Sequence, residues 1–187
     1  IMGMFKKTHR EPEVVADSYS PSPDDGVDHI NIWNNGETQL GRWLYQSAKT
    51  PFIHPEFGYF TTVLGFWQWL VEIEPDDNFR HMFNGQIKDY LKKRGRRPTR
   101  FINNKEKIFM AVNFMKIEQN PEIKAAIIDS TLPFKEYYYY HKNDGGSIRI
   151  NQRGHEWVCG MFETIRTMLI EDKKPEPINW AALTSKK

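Results

Sequence analysis

NKEKIFMAVNFMKIEQNPEIKAAIID, residues 104–129, is the stretch whose reading decides the class of fold. Ile108, Ala111, Val112 and Met115 recur at the three- and four-residue spacing of one helix face. The pattern breaks at Asn120-Pro121. Asparagine caps a helix start, and proline at the first helical position loses no hydrogen bond, because an N–H there has no intrahelical partner. A second helix therefore follows the first. The character then changes: YYYYH (137–141) and SIRIN (147–151) flank a Gly-containing turn, so 137–151 reads as a β-hairpin. HEWVCGMFETIRTMLIE (155–171) returns to helical spacing, with Trp157, Met161, Ile165 and Leu169 in one stripe. Helices interrupted by a local hairpin predict an α+β fold, a mostly helical single domain with a small β-sheet.

Toward the N-terminus, HINIW (29–33) reads as a short strand between turn-forming residues. Residues 41–52 read as a loop or broken helix ending at Pro51, and HPEFGYF (54–60) as a turn. A helix is expected from Thr61 or Thr62, with Val63, Phe66, Trp67 and Leu70 apolar. PDDNF ends it and starts another, capped by Asp77 or Asn78 and running to about Lys93, before GRRPTRF breaks the chain. Residues 1–27 are polar and rich in Ser, Pro and Asp at their end, which predicts an N-terminal arm. The domain proper is expected over 28–172, with 173–187 as a C-terminal tail. No internal repeat is present.

The chain has 187 residues, enough for one domain with a full hydrophobic core. Its net charge of +2 selects no class of partner. No apolar run approaches the roughly 18 residues of a membrane-spanning helix, and IMGMFKKTHREPE lacks the apolar centre of a secretion signal. The expectation is a cytoplasmic protein with no membrane partner. A single cysteine, Cys159, cannot form an internal disulfide, and its apolar helical surroundings predict a buried hydrophobe. The six histidines show no metal-ligand spacing, so no metal is expected. No GxxxxGK[ST], GxGxxG or GxSxG motif occurs, and no cofactor is expected.

Two features invite chemistry. Lys88, Lys92, Lys93, Arg94, Arg96, Arg97 and Arg100 fall within thirteen residues, opposed only by Asp89. This is either a solvated helix end favoured by the helix dipole or a phosphate-binding patch. Trp43, Tyr45, Phe66, Trp67 and the run Tyr137 to Tyr140 are able to stack a base. Successive tyrosines of a strand point to opposite faces, so at most alternate members of the run share a pocket.

The order of segments resembles the NADAR family of YbiA-like domains over about residues 29–171. KEKIFMAVNFMKIEQNPEIKAAIIDSTLPFKEYYYY resembles the family's lysine-bearing helix, Asn-Pro-capped helix and strand. HEWVCGMFETIRTML, with Arg166 and Leu169, is similar to its closing helix. LGRWLYQSAKTPF and FTTVLGFWQWL correspond to its earlier segments. The missing Asp-x-x-Trp-Gly segment looks like the divergent phage branch. The resemblance implies an N-glycosidase that removes ADP-ribose from modified nucleobases, in phages as a counter to host toxins, acting in the host cytoplasm. ADP-ribose or ADP-ribosylated nucleic acid would be its ligand. It implies a site made by Gly41, Arg42, Tyr45, Gln46, Phe66, Trp67, Gln68, Lys88 and Arg94, with Lys92, Lys93, Arg96, Arg97 and Arg100 as a phosphate patch. The family's acid falls at Leu64 and its neighbouring histidine at Gly65, while Gln68 is retained. Glu37 and Glu56 are the substitute acids considered. Three readings stay open: an N-glycosidase, a catalytically inactive module that binds ADP-ribose or a protein partner, and a simple nucleic-acid binder.

Overall fold

A computed structural model describes residues 18–184. The arm expected over 1–27 lies largely outside the described residues.

The helical periods are realised. α4 (Lys105–Gln119) and α5 (Pro121–Asp129) meet at Asn120, with Pro121 in the first helical turn. Ile108, Val112 and Ile117 on α4 and Ile123 and Ile127 on α5 are buried. α6 (Glu156–Ile170) buries Val158, Met161, Phe162, Ile165 and Leu169. Its stripe is one residue broader than the spacing suggested, and Trp157 stands at its edge, half-buried. α4 is the central element: it packs against α5, α6, a helix at Val63–Val71 (α2) and a strand at Phe52–His54 (β3).

The remaining helices are shorter. α1 (Gln39–Leu44) is capped by Thr38, whose side chain accepts from the Gly41 amide. α2 (Val63–Val71) is capped by Thr62, whose Oγ1 accepts from Gly65 N at 2.9 Å. Gly65 permits a close approach: a Cβ there would lie 2.4 Å from the Phe79 carbonyl oxygen. That oxygen belongs to a 3-10 turn, Asp77–His81, capped by Asp76. The long helix expected from Asp77 to Lys93 is thus divided. Asn84 takes a left-handed conformation (φ 49°) between the 3-10 turn and α3 (Gln86–Arg94). α3 ends at Gly95, φ 84°.

Three small sheets complete the α+β fold. β6 (Tyr137–His141) and β7 (Ser147–Asn151) form the expected antiparallel hairpin, Tyr139 opposite Arg149, and β1 (Ser18–Tyr19) extends it. β2 (Ile30–Asn31) pairs in parallel with β5 (Phe134–Lys135). The stretch read as a turn, HPEFGYF, is a hairpin arm: β3 (Phe52–His54) pairs with β4 (Gly58–Phe60). Phe52, His54 and Phe60 point inward while Ile53 and Tyr59 are exposed, and this alternation is too short to stand out in the sequence.

The C-terminal segment carries α7 (Trp180–Thr184). Trp180 is buried against His54, 4.5 Å between ring centroids at 87°, and against Phe66. Among the described residues no helix is long and apolar enough to cross a membrane.

Candidate functional site

Five segments converge on an aromatic cleft of about 260 Å³: the loop after α1, the first turns of α2, the start of α4, the junction of β5 and β6, and the turn from β7 into α6. The loop is held from two sides. Leu64 N donates to the Gln46 carbonyl at 2.8 Å, which ties it to α2. From α4, Asn113 Nδ2 donates to Gln46 Oε1 (2.9 Å) and Lys116 Nζ to the Trp43 carbonyl (3.0 Å). Lys116 is fully buried, and burial lowers its ammonium to about 7. This amine lies at the C-terminus of α1, where a cation complements the helix dipole.

Glu136 is the cleft's distinctive group. It joins β5 to β6, between buried Phe134 and buried Tyr137, and only 7% of its side chain is exposed. Oε1 lies 3.4 Å from His155 Nδ1, and Oε2 is buried without a hydrogen-bond partner. Burial pushes the carboxyl above its ordinary value, and His155 offsets part of that rise. Leaving a buried carboxylate oxygen bare is costly, and protonation of the acid is the natural relief. Beside it, burial pushes the Tyr45 and Tyr138 phenols above their ordinary values. Cys159 is also pushed up by burial, to about 11, so it stays a thiol.

The cleft mouth is aromatic. Trp67 and Phe109 lie 5.1 Å apart, Phe109 and Trp157 5.6 Å apart. Lys105 Nζ sits 5.7, 5.6 and 5.8 Å from the ring centroids of Trp67, Phe109 and Trp157. Flat rings and a cation placed together suit a planar ligand.

Among the residues chosen from sequence, Tyr45, Gln46, Leu64, Trp67 and Gln68 line this cleft together. The others lie elsewhere. Phe66 is core, 1% exposed and stacked on His54. Gly41 faces the Asn31 carbonyl, where a Cβ would lie at 2.2 Å. Arg42 donates to the Gly36 and Glu37 carbonyls. Glu37 and Glu56 are exposed and do not border the cleft.

The basic run is divided by its partners. Arg94 is buried between Glu72 and Asp76, and Arg97 Nη1 lies 3.8 Å from Asp76. Arg100 donates to the carbonyls of Glu72, Ile73 and Leu183. Lys88, Lys92, Lys93 and Arg96 are exposed. None of the seven borders the aromatic cleft.

Glu136, His155, Gln152, Lys105, Phe109 and Trp157 were not singled out as site residues from sequence. The available signal was Glu136 itself, an acid set directly against an aromatic run in KEYYYY. Asp24, Asp28 and His29 also bring potential ligand atoms within 4.8 Å of one another. Arg149 already pairs with Asp24, and His29 Nε2 shares a hydrogen bond with the Tyr137 hydroxyl at 2.6 Å.

No family model matches the chain, and no curated protein or solved structure does either.

Proposed function

We propose that the Glu136 cleft is the active site of an N-glycosidase that releases ADP-ribose from modified nucleobases, the activity implied by the resemblance to NADAR domains. The observation that carries this reading is the bare, nine-tenths buried Glu136 oxygen in an aromatic cleft. Cleaving an N-glycosidic bond needs a proton for the departing base and a stabilising charge for the oxocarbenium-like sugar. A carboxyl whose hold on its proton is strengthened by burial would supply the first. As the C1′–N bond breaks, its electron pair leaves with the base, whose nitrogen takes the Glu136 proton. The carboxylate left behind faces the cationic sugar, and then accepts the proton of the water that adds to C1′. Trp67, Phe109 and Trp157 would stack the base, and His155 would hold Oε1 of the acid. On this reading the acid sits at Glu136, and Leu64 is an apolar wall. In a phage setting, the same reaction would reverse a toxin's modification of DNA.

Leu64 favours a second reading. With an apolar residue where the resemblance expects the acid, the domain would bind ADP-ribose without cutting it.

The test is incubation of the folded protein with an ADP-ribosylated DNA oligonucleotide. Release of free ADP-ribose supports the glycosidase. An intact modification at high protein concentration, with ADP-ribose binding seen by calorimetry, supports the binding module. Neither activity nor binding rejects both. Leu64→Glu sharpens the result: if Glu136 is the working acid, a second carboxyl at 64 brings no gain.

A further inference from the structure

Glu136, Gln152 and His155 border a second chamber as well as the aromatic one. This chamber is about 480 Å³ and lies along β5, the start of β6, β7 and the turn into α6. Its lining differs in kind from that of the aromatic cleft. Lys135, Arg149 and Arg153 face it, against Glu156 and the buried acid Glu136. Arg149 is held in place: its Nη2 donates to Asp24 at 2.9 Å and its guanidinium lies 4.2 Å from the Tyr137 ring centroid. The two chambers therefore meet at a buried carboxyl with an unpartnered oxygen. A substrate whose bond lies at Glu136 extends into both.

We infer that the Lys135–Arg149–Arg153 chamber is an anion subsite that receives the diphosphate of the substrate, with the base in the Trp67–Phe109–Trp157 chamber and the scissile bond at Glu136 between them. Its orientation rests on the reading of the Glu136 cleft given above; its ligand class rests on its own charge. Guanidinium forks and an ammonium are suited to phosphate oxyanions. The basic run at 88–100, none of whose residues borders either chamber, is not the phosphate site on this account. Phosphate oxyanions could also come from a nucleic-acid backbone, so the experiment separates the sources.

Lys135 and Arg153 are exposed, and reversing them spares the Asp24–Arg149–Tyr137 contacts. Calorimetry on wild type and on Lys135→Glu/Arg153→Glu, with circular dichroism as a fold check, uses three probes: inorganic pyrophosphate, ADP-ribose and a ten-residue thymidine oligonucleotide. The expected result is that pyrophosphate and ADP-ribose bind wild type and that the variant loses about tenfold or more in affinity for each, since two charges near the anion change sign. Oligonucleotide binding that the variant loses, with no pyrophosphate or ADP-ribose binding, overturns the diphosphate assignment in favour of a nucleic-acid backbone. Unchanged affinities in the variant, or a loss confined to Lys88→Glu/Lys92→Glu, overturn the chamber altogether. Binding and cleavage fail separately: a protein that binds pyrophosphate here but leaves ADP-ribosylated DNA intact keeps the subsite and loses the glycosidase. One that releases ADP-ribose equally well in the variant keeps the glycosidase and loses the subsite.

Discussion

The protein buries two glutamates in opposite ways. Glu72 binds Arg94 through both carboxylate oxygens, and the same guanidinium bonds Asp76 at 2.9 Å. Tyr90 and Asn78 complete the set, so each carboxylate oxygen has a partner and the bare atom of the cluster is Arg94 Nε. Glu136 has a loose contact with His155 on one oxygen and nothing on the other. The first arrangement joins α2, the 3-10 turn and α3, and is structural. The second leaves one carboxylate oxygen bare, and it sits where two chambers meet. Satisfied polar groups make architecture, and an unsatisfied one at a cleft is a candidate for chemistry.

Breaking the satisfied network should give the largest effect on stability. Arg94→Met leaves Glu72 and Asp76 buried without their cation and is expected to cost about 3–5 kcal/mol, measured by urea unfolding. Glu136→Gln, which removes only the loose 3.4 Å contact with His155, is expected to leave the unfolding midpoint unchanged or raised. A comparable loss in both variants would erase the distinction between the two sites.

Lys116 extends the comparison to a cation. Its amine is buried with a single acceptor, the Trp43 carbonyl. Because its folded value falls to about 7, from 10.5, the unfolded chain binds more protons between those values. Stability contributed by this group therefore rises with pH from 7 to 10.5. Lys116→Met should stabilise the fold at pH 7 by about 1–4 kcal/mol, as apolar replacements of buried ions often do. If Lys116 also positions the Tyr45–Gln46 loop, ADP-ribose affinity falls in the same variant although the midpoint rises.

The smallest effect separates the two acids by pH. For Asp76, burial pushes upward, but hydrogen bonds from Tyr90, Asn78 and Arg94 outweigh it and hold the carboxyl below its ordinary value. Its contribution to stability is present above that ordinary value and is lost as pH falls toward the lowered one. Glu136 runs the other way. Raised by burial, with His155 opposing part of the rise, it favours the fold at low pH and loses that contribution as pH climbs through its raised value. An acid pH scan of unfolding should therefore steepen in Glu136→Gln, where only the Asp76-type loss remains.

Much of the fold was legible in the sequence because its helices are strongly periodic. α4, α5 and α6 begin and end within a residue or so of the expected positions, and of the two threonines expected to start α2 it is Thr62 that caps it. The β3–β4 hairpin was hidden because three-residue strands carry too little alternation. The break between the 3-10 turn and α3 was hidden because it turns on one left-handed asparagine, Asn84. The site was half legible. The resemblance drew attention to Tyr45, Gln46, Leu64, Trp67 and Gln68, which do share a cleft. It also drew attention to Arg94, whose ion pairs lie with residues distant in sequence. Glu136 looked like any acid beside a strand, since burial and a missing partner are properties of the folded chain alone. Trp180 was equally silent, a lone tryptophan in a proline-rich stretch that proves to be seated on His54.

The most direct measurement is single-turnover release of ADP-ribose from an ADP-ribosylated DNA oligonucleotide by wild type and Glu136→Gln, both shown to be folded and to bind ADP-ribose. General acid catalysis accounts for about 10²–10⁴-fold in rate. The account predicts a loss of that size in Glu136→Gln with ADP-ribose affinity retained. Equal rates in the two proteins would contradict it.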